Sequence, residues 1–120
     1  MSAVVIQELT AGASDAAEVR EYDVLRRRFE RTGRLLVPDG EDWWMVGKIL
    51  NSLLRGARSR TPGRPVAISK PEQQRLVRDV LIARSAKRVG ATVVTENLAD
   101  FRKIRRFCDV RVLPPTELFV

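Results

Sequence analysis

Three groups of acidic residues stand out because their surroundings are wrong for a charge. Asp79 lies in "RDVLIARSAKRV", where Leu76, Ile82, Ala83 and Ala86 fall at offsets of three, four and seven and so share its helical face. A lone carboxylate on such a face is costly to desolvate unless a cation or hydrogen bonds compensate. Glu8 repeats the arrangement in "SAVVIQELTAGA", with Val4, Val5, Ala11 and Gly12 on its face. The third group, "TENLAD", follows the β-branched run "ATVVT" and supplies Thr95, Glu96, Asn97 and Asp100. Open α/β sheets gather ligands at the carboxyl ends of their strands. Acids converging there repel one another unless a cation neutralises them, and an all-oxygen donor set suits Mg²⁺ or Mn²⁺. Each acid also has an ordinary role open to it. Asp79 can pair with Arg78 or Arg84, and Asp100 can cap the helix "DFRKIRRF".

The rest of the composition narrows the chemistry further. The chain contains no histidine, which removes Ser-His-Asp and Cys-His catalysis, His-ligated zinc and a histidine base. Cys108 is the single cysteine, too few for an internal disulfide or a thiolate metal site. Any chemistry therefore falls to carboxylates. The formal net charge of +7 favours a polyanion such as nucleic acid, whose phosphates release counterions to Lys and Arg. A solvated basic surface or an acidic protein partner accounts for the charge equally well. No apolar run approaches a membrane span and no leader-like block opens the chain, so the expectation is a cytoplasmic protein with no membrane contact. A length of 120 residues fits one domain, 1–120.

The elements that must position these acids are legible in outline. Ser2 is a helix N-cap, with the first helix closing near Gly12. Asp15 and Glu18 resemble a capping box opening a second helix, with Val19, Tyr22, Leu25 and Phe29 as its buried stripe and Gly33 as its stop. "RLLVPDG" is a short strand. "EDWWMVGKILNSLLRG" is a helix with Trp43, Val46, Leu50, Leu53 and Leu54 on one side. Gly47 on that side predicts close backbone approach, and Trp44 lies off the stripe, as a rim residue or a partner anchor. "ARSRTPGRPVAIS" is a basic loop, more an ordinary surface connection than a nucleic-acid contact. Ser69, Pro71 and Glu72 open the helix of Asp79, which ends at Gly90. "ATVVT" has the continuous apolar character of a strand covered on both faces, and "VRVL" is a last strand. Helices alternating with short strands predict an α/β fold, a three-layer α/β/α sandwich around a parallel sheet.

In this order, "SAVVIQEL", "EDWWMVGKIL" and "RDVLIARSAKRVGATVVTENLADF" resemble a PIN domain of the VapC type, the toxin of bacterial toxin–antitoxin pairs. The resemblance covers nearly the whole chain, and its most specific piece is D-x-L-I-A…A…G-x-x-V-V-T-x-N-x-x-D-F. It implies a ribonuclease dependent on Mg²⁺ or Mn²⁺ that hydrolyses RNA phosphodiester bonds, pairs with a cognate antitoxin and forms a homodimer. Glu8 matches the family's helical glutamate, Asp79 the aspartate of the D-x-L-I-A motif and Asp100 the aspartate before phenylalanine, so these three are the implied catalytic and metal-binding residues. Asn97 falls where many members carry another acid, and Thr95 and Asn97 are the implied substrate contacts. Arg78 stands where members often have Asn. The family's opening strand and its terminal aspartate, a principal metal ligand in the middle of the sheet, have no counterpart before Glu8. The resemblance thus implies either a nuclease or a shortened, inactive relative that binds RNA or an antitoxin. A DNA-binding regulator is disfavoured, since no helix-turn-helix pattern is visible.

Overall fold

The structure, a computed structural model, describes residues 1–60 and 69–117. Five helices and a small parallel sheet follow one another as α1 (Ala3–Ala11), α2 (Ala16–Arg31), α3 (Gly40–Arg60), α4 (Lys70–Arg88), β1 (Val93–Val94), α5 (Leu98–Ile104) and β2 (Val112–Leu113). A 3₁₀ turn, Pro115–Glu117, comes after β2. The chain is thus a mainly helical α/β fold whose sheet is β1 beside β2, paired Val93 with Val112 and Val94 with Leu113. The expected strand at "RLLVPDG" is reduced to a single parallel bridge between Leu36 and Ser2. Part of the basic loop expected after Gly56 is helical through Arg60, and residues 61–68 of it lie outside the described residues.

The helix boundaries follow from local chemistry. Ser2 Oγ accepts from the Val4 amide at 3.2 Å, Asp15 Oδ1 from the Glu18 amide at 2.8 Å and Ser69 Oγ from the Glu72 amide at 3.3 Å. Each satisfies a donor left over by the first helical turn. Glu18 reaches back to the amide of Ser14 rather than of Asp15, a capping box shifted by one residue. Gly33 and Gly90 take φ of 68° and 69°, the left-handed conformation that lets the chain leave α2 and α4.

The core gathers on α4. Val80, Leu81, Ala83 and Ala86 pack with Val46 and Ile49 of α3, Val93 of β1, Phe101 and Ile104 of α5, and Cys108 and Val110 beyond it. Leaving any of the larger side chains in water instead would cost roughly 1.5–3 kcal/mol. Burial also lifts the Cys108 thiol above its ordinary pKa, which keeps it protonated and inert.

Four expectations are corrected here. The inward side of α3 is Asp42, Val46 and Ile49, while Trp43 is 56% exposed. Gly47 is exposed, and a Cβ added there would meet nothing within 4 Å, so no backbone approaches it closely. No residue of α2 is buried: it packs mainly on α1, and Val19 stays open to solvent. Val94 is exposed while Val93 is buried, so the sheet is covered on one face of β1 only.

Candidate acidic site and its groove

Asp79 is carried inward by α4, where Leu76, Val80 and Ala83 bury the surrounding surface. Its side chain is almost sealed, and Oδ2 has no hydrogen-bond partner. Oδ1 meets the Nε of Arg78 at 3.4 Å, a long and weak contact. Burial pushes the carboxyl above its ordinary pKa, the Arg78 cation opposes that shift, and the charges of Asp100 and Glu8 add to it. The field at Asp79 therefore registers the other two acids singled out in the sequence.

Glu8 reaches the site from α1, whose contact with α4 places the two helices side by side. Its carboxylate is 37% exposed and holds Arg78 Nε at 2.8 Å. The residue sealed on α1 is Ile6, off the predicted face, so Glu8 lies at a rim and not among packed apolar groups. Arg78 thus spans two of the three acids. Its role as a partner to Asp79 was one of the ordinary readings of the sequence; its grip on Glu8 was not.

The β1–α5 loop brings in the third acid. Thr95 Oγ1 accepts from the Asn97 amide at 3.0 Å, fixing the turn. Asn97 Nδ2 donates to Asp100 Oδ2 at 2.7 Å across the first turn of α5. Asn97 precedes α5 without capping it through its side chain. Thr95 and Asn97 act here as local scaffolding for Asp100, and Glu96 is exposed.

Oxygen donors of this kind suit a hard divalent cation, and Oδ2 of Asp79 is a buried acceptor without a hydrogen-bond partner. Among the described residues, however, no three acidic or cysteine side chains are gathered closely enough to hold a metal ion as they stand. The cation now between Glu8 and Asp79 is a guanidinium.

A groove of about 580 Å³ opens on the Glu8–Arg78 side of these groups, lined also by Arg75, Gln74 and Trp43; Asp79 and Asp100 do not line it. The sequence reading missed Trp43 as a site residue because it assigned it to the α3 core. No local signal marks Asp42 as the residue that turns inward, and with Asp42 inside, Trp43 is left outside.

No family model and no curated protein matches the chain. A solved structure described as FitAB bound to an IR36 DNA fragment is similar to it, with 24% identity and a TM-score of 0.50. The similarity covers 95% of this chain and 71% of that one, and at this identity it is a likeness of fold. Among the described residues no helix is long and apolar enough to cross a membrane.

Proposed function

We propose that this chain is the nuclease-like component of a toxin–antitoxin pair, hydrolysing RNA phosphodiester bonds through Glu8, Asp79 and Asp100. The observation that carries this reading is the Asp79 carboxylate, buried with one oxygen unpartnered and within the field of two other acids. A carboxylate kept only for structure is normally saturated with donors. A buried carboxylate with a raised pKa, next to a groove that Glu8 lines, is a candidate catalytic group. The fold it shares with FitAB, seen there bound to DNA, supports a setting in nucleic-acid-associated assemblies. The cognate partners are an antitoxin protein and a second copy of the chain.

The cofactor is Mg²⁺ or Mn²⁺, which Glu8, Asp79 and Asp100 would hold. Such an ion supplies a water nucleophile at neutral pH and offsets charge on the phosphate under attack. Thr95 and Asn97 keep Asp100 in register with the other acids. Metal binding requires Arg78 to release Glu8 and Asp79, because two cations cannot share those oxygens without repulsion.

That same guanidinium favours a second reading. If Arg78 never leaves, the acids are neutralised internally and the chain is an inactive relative that binds RNA or an antitoxin. Cleavage of labelled single-stranded RNA with Mn²⁺ separates the two, using the native chain, Asp79→Asn and Arg78→Gln. Metal-dependent cleavage that disappears in Asp79→Asn and rises in Arg78→Gln is the expected result. No cleavage by either the native chain or Arg78→Gln, both folded by circular dichroism, would establish the second reading.

A further inference from the structure

We infer that the groove beside the acids binds single-stranded RNA, with Trp43 as a base-stacking platform and Arg75 as a phosphate contact. This deepens the reading above, since it names how a strand would be held next to Glu8, and it rests on that reading for the choice of RNA.

The groove's lining has two properties that an ordinary surface hollow lacks. The first is Trp43, an indole left 56% exposed at the start of a long helix although apolar positions exist one turn further on. An exposed indole offers a flat π-face, and stacking on it suits any base. The second is charge. Arg75 is exposed and makes no ion pair or hydrogen bond among the described residues, so its guanidinium is available. Arg78 lines the same groove, and its pairing with Glu8 cancels the carboxylate that would otherwise repel a phosphate. A volume of about 580 Å³ admits a nucleotide or two.

The remaining lining agrees with this assignment. Gln7 and Gln74 are exposed amides that can meet base edges, while Val4, Val77 and Leu81 give an apolar floor. Trp44, the neighbouring and still more exposed indole at 72%, does not line the groove. The two tryptophans therefore serve as test and control in one helix.

The test is a fluorescence titration of the full chain with a uridine hexanucleotide in EDTA, where cleavage cannot occur. A Trp44→Phe background makes Trp43 the sole reporter. RNA should quench its emission. Trp43→Ala, followed by anisotropy of labelled RNA, should weaken binding about tenfold, the loss expected of one stacked base. Trp43→Phe should recover most of it, and Trp44→Ala should change it by less than twofold. Arg75→Gln should lower the slope of log K against log salt by about 0.7, the value for one contact to a single strand. Equal losses in Trp43→Ala and Trp44→Ala, or no effect of either, would overturn the proposal. So would tighter binding of a thymidine hexadeoxynucleotide, which would reassign the groove to DNA. Because every reading is taken without metal, binding that holds while cleavage fails sinks the nuclease and keeps the groove; the reverse keeps the nuclease and sinks the groove.

Discussion

Asp42 on α3 and Asp79 on α4 are both buried aspartates on packed helices, yet their surroundings are opposite. Asp42 is 1% exposed and saturated: its Oδ1 meets Arg84 Nε at 3.2 Å, and its Oδ2 accepts from the Asp39 amide at 3.0 Å and pairs with Arg88. Its own amide donates to Asp39 Oδ1 at 2.9 Å, which closes the start of α3 into a reciprocal cap. Asp79 is 4% exposed, with one distant arginine contact and one oxygen left bare. A buried carboxylate that serves the fold collects donors until its desolvation is met. One that is held ready for something else does not, and its cost is carried by the core around it.

The contrast can be broken at its strong end first. Asp42→Ala strips the cap from α3 and leaves Arg84, largely covered, and Arg88, about two-fifths exposed, without their common anion. Loss of a cap alone costs about 1 kcal/mol, and leaving Arg84 and Arg88 with only their longer contacts to Glu41 and Asp39 adds more, so a total of about 2–3 kcal/mol is expected. Urea unfolding followed by circular dichroism measures it. A loss under about 1 kcal/mol would mean that the Arg84 and Arg88 contacts contribute little and that the two aspartates differ less than their geometry implies.

Asp79→Asn should act in the opposite direction. The folded state holds the Asp79 carboxyl above its unfolded value of 3.8, so folding is favoured by its protonation. Between 3.8 and the raised folded value the native state binds more protons than the unfolded chain, and stability falls as pH rises through that window. Removing the charge should therefore stabilise the protein at neutral pH, by about 1 kcal/mol given the cost of an unpartnered buried polar atom. The gain should shrink in acid, where both states of the native chain are protonated. Thermal melts of the two proteins between acid and neutral pH read this directly. A variant less stable than the parent at neutral pH would make Asp79 a structural residue after all.

These two residues also mark where the sequence could be read and where it could not. Asp79 was recognisable because a charge interrupts an otherwise apolar face, and the Ser69–Glu72 cap placed its helix to within a residue. Ser2, Asp15, Gly33 and Gly90 were legible for the same reason: caps and left-handed turns are decided by a few neighbouring atoms. Asp42 was not. Its partners stand 42 and 46 positions away on α4, and nothing in "EDWWMVG" announces them. That omission rotated α3 by about one position, placing Trp43 inside and leaving Asp42 and Ile49 out of the core. The open face of β1 escaped for a related reason, since "ATVVT" reads alike whether one face or two are covered. The two-layer contact that Arg78 makes to Glu8 joins residues 70 positions apart, and only the packing of α1 on α4 reveals it.

The smallest expected change in stability tests the finest part of the comparison, the arginine between the acids. Arg78 and Glu8 are each about one-third exposed, so their ion pair is worth roughly 0.2–1 kcal/mol and is weakened by salt. Arg78→Gln removes that pair and, among the described residues, the one cation paired with Asp79 Oδ1, and should lower stability in EDTA by a few tenths of a kcal/mol up to about 1. Its consequence for metal is larger than its consequence for folding. With the guanidinium gone, Glu8, Asp79 and Asp100 repel one another without compensation, and a divalent ion is the group that relieves all three. Mn²⁺ at ten times its dissociation constant would add about 1.4 kcal/mol by mass action. Melting Arg78→Gln with and without Mn²⁺ should therefore show a rise that Asp79→Asn/Arg78→Gln lacks and the native chain shows only weakly. An equal rise in the native chain would mean that Arg78 yields to metal without resistance. The guanidinium would then be a placeholder for the ion, and the bare oxygen of Asp79 would belong to a site already prepared to take it.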